Sequence, residues 1–203
     1  MRSIAYSLAL SIFCESEAGK KELINYLNVN PNRISIVPLF SGDLTKLTIS
    51  EVIQKEILIK YSLEKEKYIF YPAQFWAHKN HYNLIISFIE FVKIHPNYKL
   101  VFTGSDKGNL NYLKNIINEN DMENKILILG FVEKDTLYSL YKNASALIMP
   151  TFLGPTNMPL IEALELECPV LCSDFEGHRE ILGNCALYFN PANTDEIYER
   201  MID

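Results

Sequence analysis

The residues best suited to chemistry lie in LGPTNMPLIEALELECPV, residues 153–170. Gly154, Pro155, Thr156 and Asn157 precede a helix whose first turn holds Pro159, a position that needs no N–H. A helix starting near Asn157 turns its free N–H groups back toward the loop, an arrangement that suits phosphate. Gly154 lets backbone come close to a ligand. Glu162 lies just over one turn into the helix. A carboxylate there can accept hydrogen bonds from two neighbouring hydroxyls, as on a ribose. A plainer reading fits this stretch equally well: Thr156 or Asn157 is only a cap, and Glu162 only solvates a helix face.

A second stretch of the same kind, YPAQFWAHKNH (71–81), holds Gln74, His78, Lys79, Asn80 and His81. A lysine at a helix mouth can neutralise a diphosphate. The competing expectation makes Lys79 a solvated surface residue, with His78 and His81 as surface polarity and Asn80 as a cap. The two histidines have no carboxylate or thiol close in sequence, so no metal site is expected. A third loop, FTGSDKGN (102–109), carries Gly104 but no GxGxxG fingerprint. In a fourth, SDFEGHREIL (173–182), Gly177 and His178 can present backbone amides, and Glu180 does no more than cap. There is no GxSxG, Walker A, HExxH or paired DxD motif.

What must position these loops is an alternation of short apolar runs with helix-period stretches. YIFYPA, YKLVFTG, KILILGFV, ALIMP, PVLCSD and ALYFNP read as strands. Between them lie helical segments such as HYNLIISFIEFVKIHP, with Leu84, Ile85, Phe88, Ile89 and Val92 at helical spacing. Asp135 and Thr194 are the expected N-caps of two of these helices. Strands that are continuously apolar predict an α/β fold, a Rossmann-like parallel sheet with helices on both faces. Its ligands sit beyond the carboxyl ends of strands, where the four loops lie.

Bulk composition agrees. Of 203 residues, 48% are hydrophobic and 22% charged, which places the chain among globular proteins rather than disordered ones. The net charge of -6, with no basic run, argues against nucleic acid as a partner. Four scattered cysteines predict buried, reduced thiols and a cytoplasmic setting. Near the N-terminus, MRSIAYSLALSIFC reads as an apolar helix or helix end followed by a short strand. Glu15 and Glu17 interrupt it too early for a signal peptide. No window is long enough to span a membrane. RISIVPL (33–39) reads as another strand, and the charged stretch before residue 68 as a boundary.

YPAQFWAHKNH, FTGS, ILGFVEKDTLYSLYKNASALIMPT, GPTNMPLIEALELECPVLCSD, GHREILGNCALYFNP and TDEI, in that order, resemble the C-terminal, donor-binding domain of GT-B glycosyltransferases, most closely family GT4. The likeness runs over about residues 66–203. Residues 1–43 resemble the end of the preceding N-terminal Rossmann-like domain and its crossover, and 44–65 a linker or helix. Most of that first domain is expected to be missing, and the final helix to be cut short. The resemblance implies a nucleotide diphosphate-sugar donor, UDP- or GDP-linked, and a glycan or lipid-linked acceptor bound by the N-terminal domain. It implies retaining, metal-independent hexosyl transfer with no cofactor, in bacterial polysaccharide or lipopolysaccharide assembly. The setting would be cytoplasmic, peripheral to the inner membrane. Donor binding falls to Gln74, His78, Lys79, Gly104, Gly154, Pro155, Thr156, Asn157, Met158 and Glu162, with Lys79 in the catalytic role.

Two positions depart from the family pattern. Gly154 stands where a glutamate usually meets the donor sugar, and Gln74 where an arginine usually accompanies the lysine. These departures keep a second reading open, a non-catalytic nucleotide-binding remnant or scaffold in a glycan-assembly complex.

Overall fold

A computed structural model describes residues 8–154 and 156–203. Six parallel strands form the main sheet: β3 (Tyr68–Pro72), β4 (Lys99–Thr103), β5 (Ile126–Ile128), β6 (Ala146–Met149), β7 (Val170–Ser173) and β8 (Ala186–Phe189). Their order is β5-β4-β3-β6-β7-β8. Phe70 pairs with Val101 on one side and Leu147 on the other, so β3 and β6 lie side by side at the centre. Strands β6 and β7 are buried at every residue, as helices on both faces require. Each large apolar side chain taken fully out of water here, Phe70 or Leu147 for example, contributes about 1.5–3 kcal/mol.

Helix α3 (His81–Ile94) buries Leu84, Ile85, Phe88, Phe91 and Val92 and packs on α4 (Leu110–Glu119) and α8 (Thr194–Ile202). A second set of helices makes its own contacts: α2 (Glu51–Lys60) with α5 (Lys134–Asn143), and α6 (Met158–Glu165) with α7 (Glu176–Leu182). Two expected caps are displaced by one or two residues. Helix α5 begins at Lys134 with Glu133 in the cap position, so Asp135 falls inside the first turn, where its charge still suits the positive helix end. Helix α8 is capped by Asn193, whose Oδ1 accepts from the N–H groups of Asp195 at 3.0 Å and Glu196 at 3.3 Å. Thr194 is therefore the first helical residue.

The chain's early part is a parallel pair, β1 (Ile12–Cys14) and β2 (Ile34–Ile36), joined through α1 (Glu17–Leu27). Ser16 Oγ caps α1 through Gly19 N at 2.9 Å. The helix rests against α7, where the Glu180 carboxylate accepts from Glu17 N at 2.8 Å and Ala18 N at 3.2 Å. Glu180 does cap a helix, but the helix is one that lies 162 residues away in sequence. The helix expected in the apolar segment at the start of the chain falls chiefly on residues outside the described range. Leu44, Leu58 and Leu63, in the stretch read as a boundary, join the core of the main sheet. No helix among the described residues is long and apolar enough to cross a membrane. Of the four thiols, Cys168 and Cys172 are buried, with burial pushing both up to about 12. Cys185 is exposed and Cys14 half-buried, contrary to the expectation that all are interior, because both sit at the margins of their sheets.

Candidate functional site

From β3 the chain builds outward through β4 to β5, then returns to the other side of β3 at β6. Strand order thus reverses between β3 and β6, which opens a crevice beyond their carboxyl ends. Two of the loops singled out by sequence, residues 73–80 and 150–157, leave the sheet at this point.

They are tied to each other. Phe152 N donates to the His78 carbonyl at 2.8 Å, and the Tyr71 hydroxyl donates to the Lys79 carbonyl at 2.8 Å. Asn80 takes a left-handed conformation, φ 58°, which asparagine tolerates. Its side-chain amide does not cap α3. It donates to the carbonyls of Pro150 at 2.9 Å and Pro191 at 2.7 Å, joining the exits of β3, β6 and β8. These bonds hold Lys79 over the start of α6, where Lys79 Nζ donates to Asn157 Oδ1 at 2.9 Å. Asn157 occupies the cap position of α6 but spends its side chain on Lys79 and His178 instead of on the helix N–H groups. Thr156 is buried and its hydroxyl has no partner. A buried polar atom of that kind is paired in most folded proteins. Half-burial lowers the Lys79 pKa from its ordinary value.

Gln74, Gly104, Met158 and Glu162 line one cleft of 280 Å³, together with Thr103, Ser105, Gly130 and Phe131. Gly104 has φ +141°, and a Cβ there would lie 2.4 Å from the Ala73 carbonyl oxygen. Glycine at 104 is what lets the exit loops of β3 and β4 touch. Glu162 Oε2 accepts from the Tyr141 hydroxyl at 2.7 Å, so one carboxylate oxygen is anchored on α5 and the other is unencumbered by that bond. Gly154 lines a different cleft of 360 Å³, between α1 and α7, beside Phe152 and Lys21. His78 is half-buried, stacks near Trp76 with ring centroids 6.1 Å apart, and contributes its carbonyl to the loop lock described above. Pro155 lies outside the described residues.

The structure revises the reading of His81 as surface polarity. His81 is fully buried, packed on the rings of Tyr71, Phe75 and Phe102 at 4.7, 4.8 and 5.1 Å. It is a core residue, since the loop that precedes it folds inward over β3 and β4. His178 is also buried, with its ring bonded to Asn157, and Gly177 beside it lines the 360 Å³ cleft that holds Gly154. Tyr141 and Phe131 were missed by the sequence reading. Tyr141 stands 21 residues before Glu162, in a helix that sequence predicted without any sign that its tyrosine meets that carboxylate. Phe131 is 84% exposed at the cleft rim, a large aromatic that carried no local signal. Among the described residues, no group of three or more His, Cys, Asp or Glu side chains is placed to share a metal ion.

This architecture, with two exit loops converging at the switch point, is of the Rossmann-like α/β class. Residues 53–203 match the family model described as glycosyl transferases group 1, and the chain belongs to that family. It is 30% identical over 173 residues to the O-antigen chain mannosyltransferase RfbU of Salmonella typhimurium, an alignment covering 85% of this chain and 44% of that protein. A glycosyltransferase of Rickettsia africae superposes with TM-score 0.85 at 17% identity, over 98% of this chain and 55% of the other. Alr3699/HepE of Anabaena in complex with UDP superposes with TM-score 0.82 at 15% identity, over 97% of this chain and 54% of the other. The fold is thus that of GT-B glycosyltransferases, and the chain spans about half the length of these proteins.

Proposed function

We propose that this chain is the donor-binding half of a hexosyltransferase that uses a nucleoside diphosphate-sugar, UDP- or GDP-linked, in bacterial O-antigen-type polysaccharide assembly. The observation that carries the reading is the Lys79–Asn157 contact of 2.9 Å, one residue from Met158 on the wall of the cleft that holds Glu162. The Lys79 ammonium and the amides at the start of α6 would meet the diphosphate, and stabilise the charge that gathers on it as the glycosidic bond breaks. The unpartnered Thr156 hydroxyl would satisfy a diphosphate oxygen. Glu162, braced by Tyr141, would accept the ribose hydroxyls. Gln74, Gly104 and Met158 would enclose the nucleoside, while His78 and Gly154 would border the sugar. The UDP held by the Anabaena structure and the mannosyl transfer named for the Salmonella relative support this assignment.

In this reading the transfer retains anomeric configuration and needs neither metal nor cofactor, since a cation and helix amides already oppose the diphosphate charge. Residues 66–203 act as the donor domain. The acceptor, a glycan or a lipid-linked one, binds the other half of a longer protein that works on the cytoplasmic side, peripheral to the inner membrane. Calorimetric titration with UDP and GDP tests the assignment. Lys79→Met is expected to weaken binding by about tenfold, as loss of one charge-assisted contact implies. EDTA is expected to leave binding unchanged, and an affinity that EDTA abolishes overturns the metal-independent reading.

Gly154 and Gln74, in place of the family's glutamate and arginine, favour a second reading as a nucleotide-binding scaffold. Brisk hexosyl transfer by the longer protein rules that reading out.

A further inference from the structure

His178 has no part in the nucleotide contacts proposed above, yet it is fully buried and engaged at both ring nitrogens. On one side, 2.8 Å from Nδ1, is the Ser173 carbonyl, which can only accept. Nδ1 must therefore carry a proton. Burial, helped by repulsion from the Lys79 charge and opposed by the Ser173 carbonyl, lowers the ring's pKa from its ordinary value, which favours the neutral form at neutral pH. A neutral ring protonated on Nδ1 leaves Nε2 as an acceptor. The Asn157 atom 2.9 Å from Nε2 must then be the amide nitrogen, which donates to it. This sets the direction of the whole carboxamide, and Oδ1 is turned toward Lys79 Nζ. Gly154, beside the same amide, has φ +115°, a conformation that glycine adopts without strain.

We propose that His178 is a positioning residue for the donor site, acting through Asn157 to hold the Lys79 ammonium where the diphosphate is received. The chain Ser173 carbonyl, His178, Asn157, Lys79 runs from the end of β7 to the exit loop of β3 and contains one consistent set of donors and acceptors. Reversing the carboxamide would set its NH2 against an ammonium and leave Nε2 facing a carbonyl oxygen, two unfavourable contacts in a buried place. The inference rests on the reading of Lys79 as the diphosphate cation only for its consequence in binding. The relay itself is a property of the free protein.

The test uses the 203-residue chain and two substitutions that divide the ring's functions. Glutamine at 178 carries its carbonyl oxygen out to the Nε2 position, where it can accept from Asn157. Asparagine reaches only as far as Nδ1, so it keeps the Ser173 bond and leaves the Asn157 amide without an acceptor. Nuclear magnetic resonance of the free wild-type chain is expected to show His178 as the Nδ1–H tautomer at neutral pH. The Lys79 Nζ titration midpoint is expected to fall in H178N and to recover in H178Q. The affinity for UDP or GDP is expected to drop by about tenfold in H178N and to stay within about threefold of wild type in H178Q. An Nε2–H tautomer overturns the proposal, and so does a Lys79 midpoint that both variants move alike. If the wild type binds neither nucleotide, the donor-site reading fails, while the tautomer and the Lys79 titration still decide the relay. Should either variant fail to fold, the wild-type tautomer decides it alone.

Discussion

His81 turns a packing observation into a pH dependence that can be measured. Its imidazole is buried among Tyr71, Phe75 and Phe102, and neither nitrogen closes a hydrogen bond. Burial, with help from the Lys79 charge, lowers its pKa to about 3, against a weak opposing pull from the Ala73 carbonyl. The unfolded chain binds this proton near pH 6.5, whereas the folded chain does not until near pH 3. A histidine depressed in this way contributes stability that is whole above the unfolded value and is lost as pH falls. The slope approaches about 1.4 kcal/mol per pH unit, so roughly 3 kcal/mol disappears between pH 6.5 and pH 4. That is a large share of a net stability of about 5–15 kcal/mol. His81→Phe keeps the aromatic contacts and removes both orphan nitrogens. Urea unfolding of wild type and variant at pH 7, 5.5 and 4.5 is the assay. The variant is expected to be at least as stable at pH 7 and to gain on the wild type by about 1 kcal/mol at pH 5.5 and about 2.5 kcal/mol at pH 4.5. Groups common to both proteins, His178 among them, cancel in the difference. A gap that does not change with pH refutes the reasoning, since it means that His81 is protonated in the fold or reaches solvent.

Two more substitutions probe how the cleft is held. Tyr141→Phe removes the 2.7 Å bond to Glu162 and frees the carboxylate; nucleotide affinity is expected to fall several-fold, with about 1 kcal/mol lost in stability, by titration calorimetry and urea unfolding. Gly104→Ala puts a methyl 2.4 Å from the Ala73 carbonyl at a positive φ, and is expected to cost roughly 2–4 kcal/mol in urea unfolding.

The sheet could be read from sequence because its strands are short, apolar and separated by helices of plain periodicity. All six runs that read as strands between residues 68 and 190 are strands. The site loops could be read for a related reason, since in such a sheet chemistry collects where strands end. What sequence did not display is pairing across the switch point. Lys79 and Asn157 are 78 residues apart, and only the adjacency of β3 and β6 makes them neighbours. The burial of His81 follows from rings supplied by β3, its exit loop and β4, while a local reading sees only a polar residue in a polar loop. The misplaced caps at Asp135 and Thr194 have a smaller cause. In each case a neighbouring residue with extended backbone took the cap position, and at Asn193 one side-chain oxygen serves two N–H groups.

The central claim is that Lys79, Asn157 and Glu162 belong to one nucleotide site. Its most direct test is thermal stabilisation of the chain by UDP, GDP and ADP, with Glu162→Ala alongside. A nucleotide at about a hundredfold over its dissociation constant adds roughly 2.7 kcal/mol to the folded state. Stabilisation by UDP or GDP, absent in the folded Glu162→Ala variant, is the predicted result. A folded wild-type chain that none of the three stabilises, or a Glu162→Ala variant stabilised as strongly as wild type, contradicts it.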